Sequence, residues 1–202
     1  MIFNFVENIS PYLTDTPHIV VARRRTPINT VPAMRSGNKT IDGGHYLFTE
    51  KERDEFIKKE PLSQKLFKTW VGANELLNRH KRYCLYAKDC DPQKLSKMPL
   101  VLNRIKLVEA YRLKSKSIPT QKLAEYPLNF HVTNTPRSSY LLIPVVSSER
   151  RAYIPMKFLD KSELPGMGTL SVENATLYHF GVLTSSVHMA WIKEINRTYS
   201  LV

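Results

Sequence analysis

Proline sets the tightest limit on what this chain can fold into. Thirteen prolines are spread along 202 residues. Each removes a backbone donor and fixes φ, so a long helix fits only in the gaps between them. The gap from Pro99 to Pro119 holds the longest helix candidate, about Leu100 to Lys116. Val101, Ile105, Val108 and Tyr111 fall on one face of it, with Arg104, Arg112 and Lys116 largely on others. Pro119 is expected to end it.

The remaining elements read as short. Residues 18–25 (HIVVARRR) form a strand closing on a basic triplet, and a loop over 26–44 contains the Asp42-Gly43-Gly44 turn. A strand covers 45–48, and Thr49-Glu50-Lys51-Glu52 fits a capping box whose helix runs to about Glu60 and stops before Pro61. A second helical piece is expected over 63–70 and a strand over 82–87. Asp91-Pro92 signals another helix start. After Pro127 the pattern becomes strand-like, with strands over 130–133, 140–146, 152–158 and about 176–182. The two runs 140–146 and 152–158 make a hairpin, with Pro144 and Pro155 placing them at edges or bulges. The stripe Tyr178, Phe180, Val182 reads as core. A C-terminal helix starts near Ser185, with Val187, Trp191 and Ile195 on one face. The class is α+β: mixed or antiparallel strands, a long central helix and a C-terminal helix. Residues 1–202 read as a single domain, or as two lobes of about 1–126 and 127–202.

Charge is distributed unevenly. The chain carries 30 Lys and Arg against 18 Asp and Glu, for a net +12. Twelve of the basic residues fall between 76 and 122, against three acids, whereas residues 162–202 hold two basic and three acidic residues. Such concentration suits a polyanion, because each neutralised phosphate releases counterions. A well-solvated surface that serves solubility is the plainer alternative. No apolar run approaches the ~18 residues of a membrane span, and the first residues lack the pattern of a secretory signal. Cys84 and Cys90 match no common zinc spacing, and Cys84 reads as a small buried hydrophobe. A reducing cytoplasm is the expected compartment.

The parts of a catalytic site do not assemble in the sequence. There is no glycine-rich S-adenosylmethionine turn, no polar-Pro-Pro-aromatic motif and no Walker A sequence. Asp54, Glu55 and Lys58 read as a solvated helix face, not a nuclease centre. The six histidines show no metal-ligand spacing, and His179 and His188 read as packed, hydrogen-bonded residues. Neither a catalytic residue, nor a metal, nor a cofactor is expected in this chain.

Five segments in series carry a resemblance. They are GNKTIDGGHYLFTEKE (Gly37–Glu52), RYCLYA (Arg82–Ala87), DPQKLSKMPLVLNRIKLVEAYRLKS (Asp91–Ser115), YLLIPVVSSERRAYIPMKFLD (Tyr140–Asp160) and NATLYHFGVLTSSVHMAW (Asn174–Trp191). In this order and spacing they resemble the target-recognition domain of the MmeI-like enzymes, from about Asn8 to Trp191. Those are large single-chain restriction–modification proteins that join nuclease, adenine methyltransferase and recognition regions. The resemblance implies sequence-specific recognition of double-stranded DNA. It also implies a parent that moves a methyl group from S-adenosylmethionine to the adenine amino group, with the methyltransferase region upstream and a helical tail downstream.

Within the family the specificity determinants lie near the hairpin over 140–158. Ser147, Ser148, Glu149, Arg150 and Arg151 at its tip are therefore the expected base contacts, with Glu149 and Arg151 foremost. Arg suits guanine, and Glu accepts from the cytosine amino group. Expected phosphate contacts are the cluster Arg79, Lys81, Arg82 and the helix cations Arg104, Arg112 and Lys116. Gly37-Asn38-Lys39 offers backbone amides and a lysine to a phosphate, or forms an ordinary loop turn. An RNA-binding module, a protein-interaction module and an unfamiliar catalytic domain stand as alternatives.

Overall fold

The strands and helices follow from local chemistry that long-range packing then edits. In the computed structural model the described residues are Ile9, 26–148 and 150–199, with side chains described as far as 193. The strand expected over 18–25 lies outside them. By its contacts the chain forms two units. The larger spans Ala33–Ser147 and Pro155–Ala175; the smaller includes, among the described residues, 26–32, 148, 150–154 and 176–199. Strands on both sides of residue 126 pair with one another in the larger unit, so a division near 126/127 is not the one the contacts make.

In the larger unit, β1 (Met34–Ser36) and β2 (Leu47–Phe48) come first. The Asp42 turn between them has Gly43 and Gly44 at φ 65 and 83°, where a side chain would be strained. The helix α1 (Glu50–Lys59) opens on the expected box: the Thr49 amide donates to Glu52 Oε2 at 2.7 Å and the Glu52 amide to Thr49 Oγ1 at 3.3 Å. The Thr49 backbone amide, and after it the Thr49 hydroxyl at 2.8 Å, donate to the Glu52 carboxylate and hold that carboxyl below its usual range. The helix stops at Pro61, as expected.

The helical piece expected over 63–70 forms only as far as residue 66, as part of a 3-10 helix. A 3-10 turn (Pro61–Leu66) gives way to β3 (Phe67–Val71). Its residue types favour a strand, and Phe67 completes an edge-to-face cluster with Phe48 and Phe56, centroids 5.1 and 5.7 Å away. Tertiary packing overrides the local helical pattern there. Then follow α2 (Ala73–Asn78), β4 (Arg82–Leu85) and α3 (Pro92–Leu95), with Asp91 capping α3 as its sequence indicates.

The long helix is α4 (Pro99–Leu113). Met98 supplies no side-chain cap. Instead the buried Glu60 carboxylate accepts from the amides of Leu100 and Val101, at 2.9 and 3.0 Å. Negative charge there also complements the helix dipole. Val101, Ile105 and Val108 face the core as expected, but the fourth buried position is Arg112, and Tyr111 is exposed. The short α5 (Ile118–Lys122) contains Pro119, so α4 ends before that proline reaches it.

The last strands are β5 (Tyr140–Pro144), β6 (Lys157–Leu159), β7 (Leu164–Pro165) and β8 (Thr169–Glu173). They complete two four-stranded sheets. One is antiparallel, ordered β1-β8-β5-β6; the other, β2-β4-β3-β7, has β7 parallel to β3. Residues 130–133 contribute only an isolated bridge, Val132 to Lys39. The main core lies on the second sheet, where Phe48, Trp70, Cys84 and Leu85 meet Val101 and Val108 of α4. Cys84 is fully buried, and that burial pushes its thiol well above the ordinary range.

The smaller unit ends in two helices, α6 (Leu177–Leu183) and α7 (Ser186–Tyr199). The strand expected over 176–182 is therefore a helix, capped where the Thr176 amide donates to His179 Nδ1 at 3.0 Å. Alternating aromatic and aliphatic residues mimicked a strand, but Tyr178 and Val182 point to solvent and are not core.

Candidate functional site

The expected hairpin is real but its turn is long. Tyr140, Leu141 and Leu142 pair with Leu159, Phe158 and Lys157. Pairing stops there because Pro144 and Pro155 have no amide to donate. Beyond it the Val145 amide bonds the Gly168 carbonyl at 2.9 Å, continuing the ladder toward β8. The strands expected over 140–146 and 152–158 are thus shorter, and residues 145–156 form a twelve-residue loop. Within it the Arg151 amide donates to the Ser148 carbonyl at 3.0 Å and the Arg150 amide to Ser148 Oγ at 3.3 Å, a local turn. Ser148 and Arg150 are exposed and Arg151 half-buried. The Ser147 hydroxyl is buried without a hydrogen-bond partner among the described residues. Glu149 lies outside the described residues.

The seven expected phosphate contacts divide sharply by environment. Lys39, Arg79, Lys81 and Lys116 are exposed. Arg79 sits at the end of α2 in the left-handed region, φ 57°, and Lys81 is 3.7 Å from Glu50. Arg82 is partly committed, since its guanidinium lies 3.7 Å from the buried Glu75 carboxylate, which also accepts from the Gly72 amide. Arg104 lies over the Phe48 ring, 4.8 Å from its centroid, in a groove of about 460 Å³ lined by Glu52 and Glu55.

Arg112 is not a surface cation. It is fully buried, and its guanidinium donates to six carbonyls: Ile41, Thr40, Leu123, Tyr126, Pro127 and Asn129. Helical spacing counted from Val101 could have flagged it, since 101, 105, 108 and 112 share one stripe. The amides of Gly37, Asn38 and Lys39 are likewise occupied, by the carbonyls of Thr169, Pro165 and Val132. That segment offers a phosphate no backbone cradle. It offers the Lys39 side chain alone.

Other cations were present in the sequence count but were not singled out. Lys88, Lys94, Lys97, Lys106, Lys114 and Lys122 are exposed. None forms an ion pair among the described residues. Their signal was local charge density, which does not tell exposed residues from buried ones. Among the described residues, no three His, Cys, Asp or Glu side chains gather as metal ligands. No helix there is long and apolar enough to cross a membrane.

Exposed cations on short, well-packed elements and a long loop with Ser147 to Arg151 at its middle are the make-up of a recognition module. The family model described as "MmeI, target recognition domain" matches residues 15–197, and the chain belongs to that family. It is 37% identical over 190 residues to DNA methyltransferase A of Bacillus subtilis (strain 168), covering 94% of this chain and 22% of that protein. It is also similar to the solved structure of the Type IIL restriction–modification enzyme MmeI in complex with DNA. There the identity is 40% and the TM-score 0.89, over 94% of this chain and 25% of the other. The chain therefore spans about a quarter of the length of these relatives. The α+β architecture expected from sequence is the one this chain shares with that solved structure.

Proposed function

We propose that this domain reads a base sequence in double-stranded DNA on behalf of a larger adenine-specific methyltransferase or restriction enzyme that uses S-adenosylmethionine. The observation that carries this is the likeness to a structure solved with DNA, at 40% identity across 94% of the chain. The net charge of +12 supports it independently. The S-adenosylmethionine site belongs, in this reading, to a methyltransferase region outside these residues, and the protein works in the cytoplasm where its DNA is. Residues 1–202 act as one specificity domain.

The division of labour follows from exposure. Lys39, Arg79, Lys81 and Lys116 hold phosphates, with Arg82 and Arg104 as weaker candidates. Ser148, Glu149, Arg150 and Arg151 supply the base contacts, the Ser147 hydroxyl being buried. The deciding measurement is a binding selection from randomised duplexes. Enrichment of one short motif supports the reading; uniform recovery of all sequences refutes it, and preference for single-stranded RNA would favour an RNA-binding module.

Two substitutions separate the roles. Arg151→Ala should cost about 1–3 kcal/mol on the selected site and relax a single base position. Equal weakening on every duplex would remove Arg151 from base reading. Lys116→Gln should weaken all duplexes alike and lower the slope of log K against log salt by about one unit. An unchanged slope would show that Lys116 touches no phosphate.

A further inference from the structure

Among its described residues the smaller unit presents exposed apolar surface. On α6, Leu177 and Tyr178 are 79% and 75% exposed, and on α7 Val187 and Trp191 are 79% and 50% exposed. Val182 follows Tyr178 by four residues and Trp191 follows Val187 by four, so each pair lies on one helix face. Isolated exposed apolar residues are ordinary, but stripes of this kind on consecutive helices mark contact surfaces. Gly181 adds a separate observation. It lies on the Leu177–Tyr178–Val182 face, inside a helix, where glycine weakens the helix relative to alanine. Its φ is not in the left-handed region, and a Cβ built on it would meet nothing within 4 Å. Among the described residues, neither backbone conformation nor packing calls for glycine there. Bare backbone at that point lets a neighbouring element approach the helix closely.

We propose that the outward faces of α6 and α7 dock against the methyltransferase portion of the longer polypeptide. This rests on the reading of the chain as a specificity domain. Two facts select that occupant. The chain accounts for only 22% of one relative and 25% of another, so most of each relative lies outside the matched segment and must be joined to it. Charge gives DNA little hold on these helices: residues 177–202 hold two basic residues, Lys193 and Arg197, against one acid, Glu194, whereas twelve basic residues crowd 76–122. Phosphates gain nothing from an apolar, near-neutral surface. A protein face of matching apolar character gains from covering it.

The test grafts this chain into the Bacillus subtilis relative in place of the matching segment. Backbone hydrogen exchange over residues 177–191 is then compared between the graft and the free 202-residue chain. Exchange in the graft should be slowed at least tenfold, and Gly181→Gln or Val187→Glu should each return it to within twofold of the free chain. In the free chain Gly181→Gln should fold normally, with an unchanged or raised melting temperature, and neither substitution should alter duplex binding. The relative's remaining portion, added in trans to the free chain, gives the same comparison should the graft not fold. Equal exchange with and without the methyltransferase portion overturns the proposal, as does protection that survives both substitutions. Sedimentation showing a dimer of the free chain that buries Trp191 would overturn it too, by assigning the face to a second copy. If the unsubstituted free chain binds no duplex, the recognition reading fails, while the exchange comparison still decides docking.

Discussion

Arg112→Met is expected to cost the domain roughly 3–5 kcal/mol of folding stability, the scale of a broken buried polar network. The guanidinium is fully buried, and six carbonyls receive its protons at 2.8 to 3.3 Å. These carbonyls come from two separated stretches, 40–41 and 123–129; those of Leu123, Tyr126 and Pro127 also accept from the Tyr126 amide, the Asn129 amide and the Tyr46 hydroxyl. One side chain on α4 therefore anchors both. Burial disfavours its charge and lowers its pKa, while nearby Tyr46 and Asp42 oppose that shift. Methionine fills much of the volume but donates nothing, leaving the carbonyls of Thr40, Ile41 and Asn129 to find water or go without, while those of Leu123, Tyr126 and Pro127 keep their other donors. Arg112→Lys should also destabilise strongly, because three protons on one nitrogen cannot reproduce a planar fork of donors. Urea unfolding measures both variants. A loss below about 1 kcal/mol for Met would show that water replaces the network at little cost. At a temperature where Arg112→Lys stays folded, its salt dependence of duplex binding should match the parent's, which separates structural support from phosphate contact.

Gly37→Ala is expected to cost about 2–4 kcal/mol, at the upper end of what overpacking does. The added methyl would lie 2.0 Å from the Gly166 carbonyl oxygen and 2.6 Å from Thr169 Oγ1. No rotamer relieves a clash with backbone. Gly166 cannot retreat easily, because a Cβ there would already stand 2.5 Å from the Trp70 indole and 2.7 Å from the Gly72 nitrogen. The Gly37 and Asn38 amides bond Thr169 and Pro165 at 2.8 Å, so the shift would pull on the strands where the two sheets meet. Asn38, buried beside them, donates to the carbonyls of Asn134 and Pro165 and accepts from the Asn134 amide. Thermal and urea unfolding of the variant give the measure. Stability within about 0.5 kcal/mol of the parent, the range of an ordinary surface change, would mean that the junction yields and does not constrain the sheets.

Much of the fold was legible before any coordinate. The Thr49–Glu52 box, the Asp91-Pro92 start, the glycine turn after Asp42 and the Val101–Ile105–Val108 stripe each act within a few residues. Their chemistry is complete in the local sequence, so the structure reproduces them. The order of five recognisable segments likewise carried the family, because order and spacing are properties of the letters.

What the letters did not carry depends on distant partners. Residues 63–70 became a 3-10 turn and a strand only because β4 and the Phe48–Phe56 pair were there to receive Phe67. Residues 176–182 are different: their helix cap, Thr176 to His179, is local, but an aliphatic–aromatic pattern that suits strands masked it. The division of the basic residues is the plainest case. Charge density drew the 76–122 segment toward a polyanion, but density treats Arg112 and Lys116 alike, and packing separates one into the core from the other in solvent. Sequence by itself determined the elements whose hydrogen bonds close over short separations and the total charge they bear. Tertiary structure alone decided which cations remain available to a ligand, since burial is a property of how separated segments meet.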